Sequence, residues 1–114
     1  MKVKTADLIG PALDWAVAAL EGLTEENSWT AIEIFKAARA GGLYWYSTDW
    51  SQGGPIIERE NIDLISSTPS DPLWQAMQWR FAHGAKGPTP LIAAMRCFVA
   101  SRLGYEVDVP DELV

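Results

Sequence analysis

Residues 43–57 read LYWYSTDWSQGGPII. Three rings, Tyr44, Trp45 and Tyr46, precede two hydroxyls, Ser47 and Thr48. Then come one acid (Asp49), another ring (Trp50), an amide (Gln52) and the run Gly53-Gly54-Pro55. A half-buried strand would alternate apolar and polar residues, and a plain loop would not hold so many rings. Flat apolar faces, short hydrogen-bonding groups and glycines together suit a ligand or partner site. Leu43–Tyr46 reads as a short paired strand. Gly54-Pro55 fits an N-cap and first-turn pair that opens a short helix over Pro55–Glu60.

Upstream, Thr5 reads as a helix N-cap with Asp7 in the first turn. Leu8, Ala12, Trp15, Ala16, Ala19 and Leu20 recur at helical spacing. Asp7, Asp14 and Glu21 fall on the opposite face, so an amphipathic helix ends at Gly22. Pro11 either kinks this helix or marks a new start after a short first turn. Trp29–Phe35 (WTAIEIF) is rich in β-branched and aromatic residues and reads as a strand, whereas Lys36–Ala40 (KAARA) is strongly helix-forming. Gly41-Gly42 is a turn.

Downstream, Ile62–Ser66 alternates as a strand should. So does Leu73–Phe81, with Leu73, Gln75, Met77, Trp79 and Phe81 on one face and Trp74, Ala76, Gln78 and Arg80 on the other; a helix is the alternative. His83–Gly87 reads as a glycine-rich turn. Thr89-Pro90 is an N-cap followed by proline, and Gly104 is placed as a C-terminal glycine, so Pro90–Leu103 is a helix. Its Leu91, Ile92, Met95, Phe98, Val99 and Leu103 share a face. The back, Ala93, Ala94, Cys97, Ala100 and Ser101, is small rather than charged. A helix of this kind is covered on two sides. The expected fold is α+β, one domain over residues 1–114, with a small antiparallel sheet of three or four strands covered by helices on both faces.

Composition narrows the function. A chain of 114 residues with 48% hydrophobic content can bury a real core. Nine basic residues against fifteen acidic ones give a net charge of −6. That balance argues against a broad duplex-DNA surface. Cys97 is the only cysteine and His83 the only histidine, so neither a disulfide nor a structural zinc site is expected. No apolar run matches a signal peptide or membrane span, and a cytoplasmic protein is expected. Six tryptophans are more than a small core needs, so some are expected to line a site or a subunit contact.

Four motifs together resemble one family. They are Leu13-Asp14-Trp15-Ala16-Val17-Ala18, then Tyr46-Ser47-Thr48-Asp49-Trp50, then Gln52-Gly53-Gly54-Pro55-Ile56-Ile57-Glu58, and last Gly87-Pro88-Thr89-Pro90-Leu91 followed by Ala93-Ala94-Met95-Arg96. In this order they resemble the NinX family of lambdoid-phage accessory proteins. More distantly, the Tyr-Ser-Thr-Asp, Thr-Pro-Leu and Ala-Met-Arg-Cys runs are similar to phage proteins with an α-β-α sandwich. The resemblance implies a phage origin, expression in the host cytoplasm and that layered fold, but no reaction.

No nucleophile–base pair and no matched carboxylates stand out, so enzymatic activity and cofactors are not expected. The candidate ligand-binding residues are Tyr46, Ser47, Thr48, Asp49, Trp50, Gln52, Gly53, Gly54, Thr89 and Arg96. Asp49 either accepts hydrogen bonds from a ligand or caps its own turn. Tyr46, Trp50, Trp74 and Trp79 are rings able to stack on a planar ligand, and Trp15 with one of Trp74 and Trp79 belongs to the core. The glycines before the two helix starts offer backbone N–H groups to an anion, although they match no phosphate-loop motif. Arg96 flanks an apolar helix and needs an anion, either Asp49 or a ligand phosphate. The expected function is sequestration of a small polar ligand, a nucleotide or nucleotide-derived host defence signal, by an oligomeric protein. The alternative is an adaptor or inhibitor that uses exposed tryptophans on a host or phage protein.

Overall fold

The computed structural model describes residues 1–79 and 81–114, without the side chains of residues 81–83. The expected faces that include Arg80 and Phe81, and the single histidine, His83, therefore lie outside the described side chains.

The longest helix organises the molecule. In α4, Pro90–Leu103, the Thr89 hydroxyl accepts the Ile92 N–H at 3.1 Å, Pro90 occupies the first turn, and Gly104 ends the helix at φ +84°. Leu91, Ile92, Ala93, Ala94, Met95, Cys97, Phe98, Val99 and Ala100 are all buried. One side of α4 lies on a three-stranded antiparallel sheet. Its strands are β2 (Ile62–Ile65), β3 (Trp74–Gln78) and β4 (Phe81–Gly87), in the order β2-β3-β4. Ala76 sits opposite both Leu64 and Ala85 and is fully buried, so its small side chain lets α4 approach the centre of the sheet. Behind α4 pack α1 (Gly10–Leu20) and α3 (Trp50–Arg59). The expectation that α4 is covered on two sides thus holds, and the α+β class with antiparallel sheets holds with it. A second, two-stranded antiparallel sheet joins β1 (Lys2–Lys4) to β5 (Glu106–Asp108), with Val3 opposite Val107.

Several local expectations are corrected. Trp29–Phe35 is not a strand: Thr30 caps a helix, α2 (Ala31–Ala40), that includes the KAARA run. The Thr30 hydroxyl accepts the Glu33 N–H at 3.3 Å, and the Glu33 carboxylate accepts the Thr30 N–H at 2.9 Å. This reciprocal capping box outweighs the β preference of Trp29, Thr30 and Ile32. Leu43–Tyr46 is not a strand: residues 43–45 are irregular, with Tyr44 at φ +61°, and a turn covers Tyr46–Thr48. Helix α3 starts at Trp50, capped by Asp49, so Pro55 lies inside it and Gly54 is no cap. Residues 83–87 belong to β4 instead of a turn; Gly84 holds φ +62° there, where a Cβ would stand 2.5 Å from the Ala76 carbonyl oxygen. Thr5 starts a single 3-10 turn rather than capping α1; its hydroxyl donates to the Gly104 carbonyl at 2.7 Å. Helix α1 begins after that turn with Pro11 near its start, which leaves no kink to explain.

The largest correction concerns Asp14. It is 0% exposed rather than on a solvated face, and its carboxylate faces the end of α2.

Candidate functional site

The aromatic–hydroxyl stretch is wired into the fold by one buried ion pair. Arg39, in the last turn of α2, donates to the Asp14 carboxylate at 2.5 Å and to the Tyr44 carbonyl at 2.7 Å. The other Asp14 oxygen accepts the Ser47 N–H at 2.8 Å. A buried carboxylate is tolerable only when paired and hydrogen-bonded in this way. The Arg39 guanidinium also lies 3.7 Å from the centroid of the Trp45 ring, and the indole N–H donates back to the Arg39 carbonyl at 2.9 Å.

Gln52 closes the loop from below. Its side-chain oxygen accepts the Trp45 N–H at 2.8 Å, and its amide donates to the Gly42 carbonyl at 2.8 Å and to Asp49 at 3.1 Å. Asp49 accepts the Ser51 N–H at 2.9 Å and the Ser51 hydroxyl at 2.6 Å, and these bonds hold its carboxyl below the usual range. Of the two roles open to Asp49, the structure shows the cap. Gly53 lies against the preceding turn and α4: a Cβ would stand 2.4 Å from the Tyr46 carbonyl oxygen and 2.6 Å from a Leu91 methyl group. Gly54 has open space, with the Trp50 ring 3.9 Å away. Tyr44 and Tyr46 also turn inward, whereas Trp45 and Trp50 stay exposed. Tyr44 stacks on the buried Phe35 at 5.7 Å and Trp15 meets Phe35 edge-on at 5.5 Å. Tyr46 packs on the core, and burial raises its phenol pKa. Trp15 and Trp74 also pack against the core, whereas Trp79 is exposed.

The ten candidate residues therefore separate. Asp49, Gln52, Gly53 and Tyr46 build the turn. Ser47, Thr48, Trp50 and Thr89 come together, with Leu91 and Ile92, around a hollow of about 200 Å³ between the starts of α3 and α4. The Ser47 hydroxyl is buried there and has no hydrogen-bond partner among the described residues. Pockets that hold drug-sized ligands run to ~300–1,000 Å³, so a nucleotide does not fit this hollow.

Arg96 lies elsewhere, and the expected pair with Asp49 is absent. Its guanidinium donates to two carbonyls, Leu8 at 2.8 Å and Lys86 at 2.9 Å. Burial pulls its pKa below the ordinary value, an effect that the charge of Asp7 only partly opposes. Among the described residues, Arg96 is the one partly buried cation with no carboxylate in an ion pair; Arg39 has Asp14, and Arg59 and Arg102 share Glu60. Arg96 helps to wall a cavity of about 470 Å³ with Thr5, Ala6, Leu73, Gly84, Ala85, Lys86, Ala100 and Tyr105. Sequence reasoning named Arg96 but missed these neighbours, because they come from five separate segments with no common motif. Among the described residues, no group of three or more His, Cys, Asp or Glu side chains is placed to hold a metal, and no helix is long and apolar enough to cross a membrane.

Comparison with known proteins adds the origin. No curated protein matches the chain. The family described as bacteriophage P22 NinX matches residues 4–102, which include α1 to α3, α4 except its last residue, and all four quoted motifs. The chain belongs to the phage P22 NinX family.

Proposed function

We propose that this phage accessory protein is a non-enzymatic binder of a small anionic ligand of nucleotide type, and that the Arg96 cavity is its seat. The observation that carries the reading is the guanidinium itself. Arg96 is half-buried, is held in place by two carbonyls, and has no ion-paired carboxylate among the described residues. A guanidinium carries five N–H donors in a planar fork that matches phosphate or carboxylate oxygens. The two carbonyls leave donors over, and a ligand anion supplies the missing charge. The rest of the cavity suits a planar body: Leu73, Ala85 and Ala100 are apolar, and Tyr105 presents an exposed ring at the wall. Lys86 adds a second cation, itself paired with Asp71 at 3.2 Å. By holding a nucleotide-derived host signal in this cavity, the protein would lower its free concentration and blunt the response it triggers.

The test is a thermal-shift and calorimetric screen of mono-, di- and cyclic nucleotides. A ligand at a hundred times its Kd is expected to stabilise the fold by about 2.7 kcal/mol. Ala6 is exposed at the cavity wall, so Ala6→Phe is expected to block binding without unfolding the chain, while Trp50→Ala, at the smaller hollow, leaves it intact. No shift with any nucleotide, or unaltered binding in Ala6→Phe, would overturn the proposal.

A further inference from the structure

A second surface lies on the far side of α2. The chain enters α2 through a tight two-residue turn: Asn27 and Ser28 hold φ +49° and +71°, and Glu26 and Trp29 exchange backbone hydrogen bonds of 3.1 and 2.8 Å. Thr30 caps the helix immediately afterwards. Trp29 is thus fixed from both sides, yet its side chain is 57% exposed. It forms one wall of an open, mainly apolar groove of about 400 Å³, completed by Ile34, Ala37, Ala38, Asn27 and Glu26. Leu43, also 57% exposed, follows directly, its N–H bonded to the Ala38 carbonyl.

We propose that this groove docks a basic, amphipathic peptide segment of another protein. The charges select the occupant. Glu26 stands in the wall, Glu25 beside it, and Glu33 one turn beyond Trp29. Among the described residues, neither Glu25 nor Glu26 has an ion-pair partner. The cations of α2 point elsewhere, Lys36 to Glu112 and Arg39 to Asp14. A second copy of the chain would bring the same acids face to face, within a protein whose net charge is already −6. A partner with lysine or arginine flanking a large apolar side chain meets complementary charge instead. Trp29 is an anchor held in position before binding, which limits the ordering cost of association.

The probe is a helical peptide of leucine and lysine in an amphipathic pattern, titrated by calorimetry into the full chain, with a leucine–glutamate peptide of the same pattern as control. The lysine peptide is expected to bind and the glutamate peptide not to. Trp29→Ala is expected to weaken Kd about tenfold or more. Glu26→Lys is expected to weaken it further than Glu58→Lys, the same charge change on an exposed residue of α3. Trp29, Glu26 and Glu58 are all exposed, so the variants should fold, as matching thermal transitions would confirm. Unchanged affinity in Trp29→Ala, equal effects of Glu26→Lys and Glu58→Lys, or no binding at all would overturn the proposal. So would sedimentation showing self-association of the parent chain that Trp29→Ala abolishes, since the occupant would then be a second copy.

Discussion

Replacing Arg39 by methionine tests the ion pair on which the central turn rests. The substitution keeps an unbranched apolar stem against Phe35 but removes the guanidinium. Among the described residues, Asp14, 0% exposed, is then left with the Ser47 N–H alone. Removing one partner of a buried pair costs about 3–5 kcal/mol, because the remaining charge has neither water nor a counterion. The lost contact with the half-exposed Trp45 ring adds about 0.5–1 kcal/mol. A total near 5 kcal/mol is a large part of the ~5–15 kcal/mol that a domain of this kind has available. Asp14→Asn should cost less, about 2 kcal/mol, since the amide oxygen still accepts the Ser47 N–H and Arg39 keeps the Tyr44 carbonyl. The double variant should cost less than the sum of the two. Urea denaturation followed by circular dichroism measures all three at constant m. A loss below about 1 kcal/mol in Arg39→Met would place the pair among solvated surface bridges and refute the reasoning.

Adjacent glycines should respond with opposite sign. Gly53→Ala forces a Cβ into the Tyr46 carbonyl and Leu91 and should destabilise by about 1–3 kcal/mol; Gly54→Ala, in open space within α3, should stabilise by about 0.5–1 kcal/mol. Equal effects in thermal melts would contradict the packing described. Asp49 has its pKa lowered from 3.8 by Ser51, so its cap is at full strength above that value and is lost as pH falls through the lower folded value. Asp49→Asn should therefore flatten the acid limb of Tm against pH, and an unchanged limb would count against the cap. Burial pushes the Cys97 thiol up to about 11, so a thiol reagent at neutral pH should label it only after unfolding in urea.

How far the chain was legible depended on where the deciding partner lay. Helix α4 was read to the residue because Thr89, Pro90 and Gly104 act within a few residues of the backbone they terminate. Helix α2 was misread although its signal was equally local. The Thr30–Glu33 box lies within WTAIEIF, where β-branched residues also signal a strand, and the two bonds of the box decide for helix. Gly54-Pro55 reads as an opening pair, whereas Asp49 caps the helix six residues earlier and Pro55 inside it removes one backbone bond, the one to the Ser51 carbonyl. Asp14 could not be placed from sequence at all. Its periodicity marks it as solvated, and partners far away in sequence, Arg39 and the Ser47 N–H, make its burial tolerable. Arg96 reads from sequence as an arginine that needs an anion, Asp49 or a ligand phosphate, yet two carbonyls from distant segments hold its guanidinium instead of Asp49.

The central turn thus changes its meaning. Its rings and hydroxyls looked like a binding surface, but most of its polar groups are committed to closing a circuit through α1, α2 and α3: Asp14 to Arg39, Arg39 to Tyr44, Ser47 to Asp14, Gln52 to Trp45. Helix α2 depends on that circuit, because Phe35 is its only buried side chain. The Trp29 groove, carried on α2, should therefore lose affinity for a basic peptide when Arg39 is replaced, even under conditions where Arg39→Met remains folded. The Arg96 cavity is built from β4, α4, Leu73 and the terminal segments and draws on none of these groups, so nucleotide binding there should survive the same substitution. If Arg39→Met instead weakens both sites equally, the circuit is holding the whole fold and α2 has no separate dependence on it.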